Sequence, residues 1–275
     1  MSPVESDEED LTRKQRREQA RADRKALEEA EAAGSARRKR LTQIGVVAGV
    51  VVVAIVAILI ATGGGSSAKL AHSNKERSNV VSKVEGEIGK IPQNGASIGS
   101  PTAPVTLQYY GDLECPICKD FSLGALPGVM KKWVSTGKLR IEYRSLETAT
   151  HEPETFKSQQ VAALAAGKQN KMWQYIELFY NQQGEENSGY VTEKYLQGLA
   201  QQIPGLNLAQ WTTDRGGAAL VNQVASDQQT ANNSGFTGTP SFLIGKTGGT
   251  MTKFEPTSLT DPTAFDEQIE KLQKG

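Results

Sequence analysis

A chain of 275 residues in which 31 Lys and Arg balance 31 Asp and Glu is formally neutral, which excludes the strongly basic profile of a nucleic-acid-binding protein. Its length allows one to two domains, and two cysteines in the whole chain exclude a disulfide-stapled mini-scaffold. The composition is uneven along the chain, so each segment is read separately.

Residues 1–40 hold 11 Lys/Arg and 10 Asp/Glu with almost no large apolar side chains. Such a segment cannot bury enough surface to offset chain entropy, and a disordered tail or solvated helix is expected. The run "LTQIGVVAGVVVVAIVAILIAT", Leu41 to Thr62, follows without a charge. At about 1.5 Å per residue it reaches roughly 33 Å as a helix, the thickness of a bilayer core, and it reads as one transmembrane helix. Arg37, Arg38, Lys39 and Arg40 abut its N-terminal end. The positive-inside rule then places residues 1–40 in the cytoplasm and everything after Thr62 outside the cell membrane. A cleaved signal peptide is the rival reading; the long charged region ahead of the run favours an uncleaved signal-anchor.

Residues 63–96 are polar and contain Gly and Ser, as a spacer would. "VTLQYY", Val105 to Tyr110, is β-branched and aromatic and reads as a strand. A helix over "FSLGALPGVMKKWV", kinked at Pro127-Gly128, and a strand over "KLRIEYRSL" come next. From about 151 to 234 the pattern turns helical. Met172, Trp173, Ile176, Phe179 and Tyr180 recur at helical spacing, as do Leu196, Leu199, Ala200 and Ile203 before Pro204. Such aromatic stripes belong to a core far more often than to a cofactor site. "TPSFLIGK" and "MTKFEP" return to strand, and a last helix opens at Asp261-Pro262 and buries Phe265, Ile269 and Leu272.

Both cysteines sit in one motif, "LECPICKDF", as Cys115 and Cys118 around Pro116 and Ile117. With Cys115 at the cap of the helix after the strand, the two sulfurs fall on one face and can close a small ring. That ring is a weak staple, because a short loop gives up little entropy. A helix N-terminus, by contrast, stabilises an anion. In such motifs the first thiol falls to about 3.5–7.5 from its usual 8.5, which makes Cys115 the attacking sulfur and Cys118 the resolving one. Zinc would need a second ligand pair, whereas the only histidines are His72 and His151. A purely structural disulfide is the other alternative.

"VTLQYYGDLECPICKDF", followed far downstream by "GFTGTPSFLIG", resembles the DsbA-like thiol-disulfide oxidoreductases of the thioredoxin superfamily, over roughly residues 97–273. The resemblance implies an α/β thioredoxin-like fold over 97–275, with an inserted helical domain at about 151–234. It also implies a cis-proline loop, Thr239-Pro240, that meets substrate opposite Cys115, with Pro116 and Ile117 tuning the site. The expected function is disulfide formation in exported proteins with free cysteines. A membrane redox partner would restore the pair, and neither a metal nor an organic cofactor is needed. Two departures stand out. Many relatives place a buried carboxylate where this chain has Tyr109, and strong oxidants often have Pro-His where it has Pro116-Ile117. Asp112 and Glu114 are expected as surface charges that would raise the Cys115 pKa. The alternatives are a thiol reductase of the same fold, for instance in cytochrome maturation, and a non-catalytic thioredoxin-like binding module.

Overall fold

The computed structural model describes residues 73–274. The charged tail, the apolar run Leu41–Thr62 and the start of the expected spacer lie outside the described residues. Among the described residues no helix is long and apolar enough to cross a membrane.

The remainder of the expected spacer is structured, which corrects that expectation. Ser73 opens helix α1 (Asn74–Ile88) with a capping box: its hydroxyl accepts the Glu76 N–H at 3.1 Å and the Glu76 carboxylate accepts the Ser73 N–H at 2.9 Å. Val84 and Ile88 are buried, and Val80 and Val81 pack beside them. Those four apolar residues recur at helical spacing within an otherwise polar sequence, and burial of that one stripe holds the helix to the domain. Two short strands follow, β1 (Gln93–Asn94) and β2 (Ser97–Ile98), turning through Gly95 at φ +59°.

The remaining strands are β3 (Val105–Gly111), β4 (Leu139–Ser145), β5 (Ser241–Lys246) and β6 (Thr252–Phe254). They join β1 and β2 in one sheet of order β1-β2-β4-β3-β5-β6. β3 runs parallel to β4 and antiparallel to β5, so Tyr109 stands between Tyr143 and Phe242. The near-continuous apolar run of β3 reflects its place inside the sheet, covered on both faces. β4 alternates instead, burying Leu139, Ile141, Tyr143 and Ser145.

After β3 the chain enters α2 (Pro116–Leu123), breaks at Gly124, and continues as α3 (Ala125–Val129) and a π-helical turn, Met130–Val134. The break thus precedes the Pro127-Gly128 kink expected from sequence. Pro127 lies in the first turn of α3, where its missing N–H is no loss. Gly124 is where the backbone turns, and a Cβ there would stand 2.5 Å from the Asp120 carbonyl oxygen and 2.7 Å from the Thr260 Cα.

Five helices stand between β4 and β5: α4 (Pro153–Gly167), α5 (Met172–Asn181), α6 (Glu193–Ala200), α7 (Leu208–Arg215) and α8 (Ala218–Asn233). Every residue from Met172 to Tyr180 is buried, so α5 is covered all round rather than along one stripe. It lies against α1, α2, α4 and α6. The last helix, α9 (Thr263–Lys274), buries Phe265 and Ile269, with Leu272 partly covered, and Asp261 caps it by accepting the Thr263 N–H at 2.8 Å. Beneath α2, the rings of Tyr109, Phe121, Phe242 and Phe265 meet at centroid distances of 5.0 to 5.6 Å. Such pairs add about 0.5–1.5 kcal/mol each beyond their buried area, which makes this cluster a firm seat for the helix.

One buried acid sits at the α2–α5 contact. Glu177 is 2% exposed and accepts a 2.7 Å hydrogen bond from the Ser122 hydroxyl. Burial pushes its carboxyl up to about 8 from an ordinary 4.5. Below pH 4.5 both folded and unfolded chains hold this proton. Between 4.5 and 8 only the folded chain holds it, so this group's contribution to stability falls as pH rises through that window. Glu177→Gln keeps an acceptor for Ser122 and removes the titration. Urea unfolding at a series of pH values is expected to show the variant gaining up to about 3 kcal/mol over the parent at pH 7 and nothing at pH 4.

Candidate active site

Cys115 is the N-cap of α2, with extended backbone, and Pro116 is the first helical residue. The cap conformation points the Cys115 sulfur back over the helix end, where it accepts the Cys118 N–H at 3.4 Å. The Cys115 N–H in turn donates to the Asp112 carbonyl at 3.1 Å, which ties the start of the helix to the end of β3. From the end of α5, the Gln183 amide donates to the carbonyls of Leu113 and Cys115 at 2.7 and 3.1 Å. Both cysteines are free thiols in this structure.

One helical turn separates two different environments. Cys115 is 4% exposed, just under the rim formed by exposed Pro116 and Ile117, the latter 48% exposed, while Cys118 is wholly buried. The Cys118 thiol as hydrogen-bond donor lowers Cys115 to about 7, against the opposing effect of its own burial. The Thr239 hydroxyl and the N–H groups of Cys118 and Ile117 lower it further. Burial, reinforced by Cys115, drives Cys118 well above 9.0. At neutral pH the first sulfur is therefore an available nucleophile or leaving group, and the second stays protonated.

The loop ahead of β5 faces this pair. The Thr239-Pro240 peptide bond is cis, and the Thr239 carbonyl accepts from the Cys115 thiol at 3.4 Å. Six residues sought in the sequence, Cys115, Pro116, Ile117, Cys118, Thr239 and Pro240, are thus brought together from two segments, with 124 positions between Cys115 and Thr239. Beside Pro240 opens a cavity of about 300 Å³, lined by Phe236, Phe242, Phe254, Pro256 and Leu259 among others.

Of three neighbours, two differ from expectation. Asp112 and Glu114 are not surface charges, being 0% and 2% exposed. Asp112 is buried because all its acceptor capacity is used. Oδ2 accepts the N–H groups of Thr148, Ala149 and Thr150 at 3.2, 2.9 and 2.9 Å. Oδ1 accepts from the Glu114 N–H, the Thr150 hydroxyl and the Gln159 amide at 3.1, 2.6 and 3.3 Å. Burial raises the Glu114 carboxyl, whose Oε1 accepts the Asn187 N–H at 3.3 Å. Despite both acids, Cys115 is lowered rather than raised. The third neighbour, Tyr109, lies behind Cys118, fully buried, with its hydroxyl 3.0 Å from that of Tyr180, which donates to the Asp112 carbonyl at 3.2 Å. Nothing in the sequence marked Gln183, Thr148 or Tyr180 for this site, since each arrives from a distant element.

A dithiol on a helix N-terminus, its outer sulfur just beneath an exposed Pro116-Ile117 rim and its inner one fully enclosed, facing a cis-proline turn, defines the class of protein that exchanges thiols and disulfides. The chain belongs to the thioredoxin family: the family model described as Thioredoxin matches residues 92–258. It is 23% identical over 183 residues to disulfide bond formation protein D of Bacillus subtilis, covering 65% of this chain and 77% of that one. It is 32% identical over 149 residues to the Na(+)/H(+) antiporter NhaA 1 of Salinispora arenicola, a match that covers 53% of this chain and only 21% of that protein. The fold is that of the oxidised crystal structure of BdbD from Bacillus subtilis, at TM-score 0.56 and 20% identity, covering 67% of this chain and 98% of that one. The protein is a thiol-disulfide oxidoreductase of this family.

Alkylation of the dithiol form by iodoacetamide, mapped by mass spectrometry, is expected to show Cys115 reacting with a midpoint near pH 7. Cys118 is expected to stay unmodified up to pH 9.0 in the folded chain and to react only on unfolding.

Proposed function

We propose that the protein donates disulfides to exported proteins from the outer side of a membrane, through the Cys115–Cys118 pair. A substrate thiolate attacks Sγ of Cys115 in the oxidised pair, the intramolecular S–S bond breaks, and the Cys118 sulfur leaves and takes up a proton. A second substrate thiolate then attacks the substrate sulfur of the mixed disulfide. The substrate closes its own disulfide, and Cys115 leaves as the thiolate. Two electrons pass from substrate to protein, and a membrane redox partner removes them to regenerate the disulfide. Thr239 and Pro240 hold the substrate backbone over Cys115, and Pro116 and Ile117 set the character of the rim.

The observation that carries this reading is the split between the two sulfurs. A Cys115 lowered to about 7 is a good leaving group in the second step, and a Cys118 kept protonated does not compete with the substrate. The printed name of the B. subtilis relative, disulfide bond formation protein D, supports the oxidising direction. The apolar run Leu41–Thr62 behind Arg37, Arg38, Lys39 and Arg40 supports an anchored chain with its N-terminus in the cytoplasm. One observation favours the reductase alternative: about 7 is also the thiol pKa typical of thioredoxin, whereas strong oxidants reach about 3.5.

Equilibration of the pair against glutathione decides the direction. Disulfide donation predicts a potential between about −120 and −180 mV, and a value near −270 mV replaces it with the reductase. In the same protein Cys118→Ser is expected to accumulate mixed disulfides through Cys115. In intact cells a membrane-impermeant maleimide is expected to label that cysteine; labelling only after lysis would overturn the external location.

A further inference from the structure

A cavity of about 370 Å³ adjoins the residue ahead of Cys115 and is lined by Glu114, His151, Glu152, Thr155, Asn187 and Gly189. Its size falls within the roughly 300–1,000 Å³ of ligand pockets. Three segments wall it: the turn before α2, the residues opening α4 and the loop after α5. Gln183 ties that last loop to the turn, its amide donating to the Leu113 and Cys115 carbonyls, on either side of Glu114, at 2.7 and 3.1 Å. Asn187 ties it to the opening of α4: its side chain accepts the His151 N–H at 2.8 Å and donates to the Ala149 carbonyl at 2.9 Å. The cavity therefore has fixed walls and lies against the backbone that presents Cys115.

Glu114 is the buried carboxylate of this cavity. Asp112, two residues earlier, spends both oxygens on six donors, whereas Glu114 receives the Asn187 N–H on Oε1 at 3.3 Å and no described residue donates to Oε2. The charges around it are negative as well: exposed Glu152 lines the cavity, and Glu186 acts on Glu114 from the loop that carries Asn187. Among the described residues, no lysine or arginine lines the cavity and no three acidic, His or Cys side chains are placed to hold a metal ion. A buried carboxylate short of donors is stabilised by a cation, and here the fitting cation is organic. We propose that the cavity receives a lysine or arginine side chain of the substrate protein, within a few residues of the substrate cysteine, with the cation donating to Oε2 of Glu114. Glu114 is then a specificity-determining residue. The same cation, close to the substrate thiol, favours its thiolate, which is the attacking form.

The inference rests on Cys115 being the reactive sulfur of the proposed function, and two readouts keep the two apart. In the first, full-length oxidised protein is mixed with dithiol peptides carrying one lysine at successive positions around the first cysteine, against peptides with norleucine in its place. Lysine at one or two positions is expected to speed mixed-disulfide formation about threefold to tenfold over norleucine. Glu114→Gln, which keeps an acceptor for the Asn187 N–H, is expected to bring that ratio close to one, and the exposed Glu152→Gln to lower it in part. A general change in Cys115 reactivity cancels in the ratio. A ratio of one at every position overturns the proposal, as does a preference that survives Glu114→Gln. A preference abolished by about 0.5 M salt marks steering by exposed charge and overturns it too. The second readout needs no exchange. With serine for cysteine in the peptides, the lysine peptide is expected to shift the carbon-13 signal of the Glu114 carboxyl, assigned by its loss in Glu114→Gln, and the norleucine peptide to leave it in place. If neither dithiol peptide reacts with Cys115, the exchange reading fails while this shift still decides the site, and its absence overturns the site.

Discussion

A buried carboxylate with six hydrogen bonds organises this protein's reactive end. Asp112 ends its strand inside the protein, where an unpaired charge would cost several kcal/mol, and the surrounding chain is arranged to meet it. Three successive N–H groups converge on one oxygen, and a backbone N–H, a hydroxyl and an amide meet the other. Its carbonyl collects the Cys115 N–H and the Tyr180 hydroxyl as well. The end of β3, the start of α2, the loop after β4, α4 and α5 thus share one anchor. The active site inherits its geometry from that anchor more than from the cysteines themselves.

On this support, the chemistry follows from an asymmetry of position between two buried sulfurs. The two thiols are chemically identical and one helical turn apart, yet the cap position leaves one just under the rim and seats the other on an aromatic floor. Each then shifts the other. The inner thiol donates to the outer sulfur and lowers it, and the partial charge on the outer sulfur, together with burial, raises the inner one. Where relatives are expected to hold a carboxylate behind the inner sulfur, this chain has the Tyr109 and Tyr180 hydroxyl pair. That region stays neutral at ordinary pH, since burial raises both phenols well above 10.

The legible parts of the sequence were those with a local physical cause. Strand β3 announced itself because a strand covered on both faces is apolar throughout. The cysteine spacing implied a helix cap because only a helix brings residues three apart onto one face. Where the cause was not local, reading failed. Asp112 and Glu114 look like surface acids because most of their donors are distant in sequence, on Thr148–Thr150, Gln159 and Asn187. Pro127-Gly128 looked like the kink, but Gly124 breaks the helix because the Ala125 N–H bonds to the Leu259 carbonyl. Helix α1 hid in a polar stretch because Val80, Val81, Val84 and Ile88 form a stripe too thin to be stable without α5 to cover it.

By itself the sequence determined the main strands, where the only thiol pair sits, and which end of a helix it occupies, since propensity, periodicity and capping act within a few residues. The thiol acidities, the satisfaction of Asp112 and the meeting of Thr239 with Cys115 were decided only by the tertiary structure. Each depends on donors and on exclusion of water supplied by segments distant in the chain, and electrostatic energies in a folded interior are set by those distances rather than by order along the backbone.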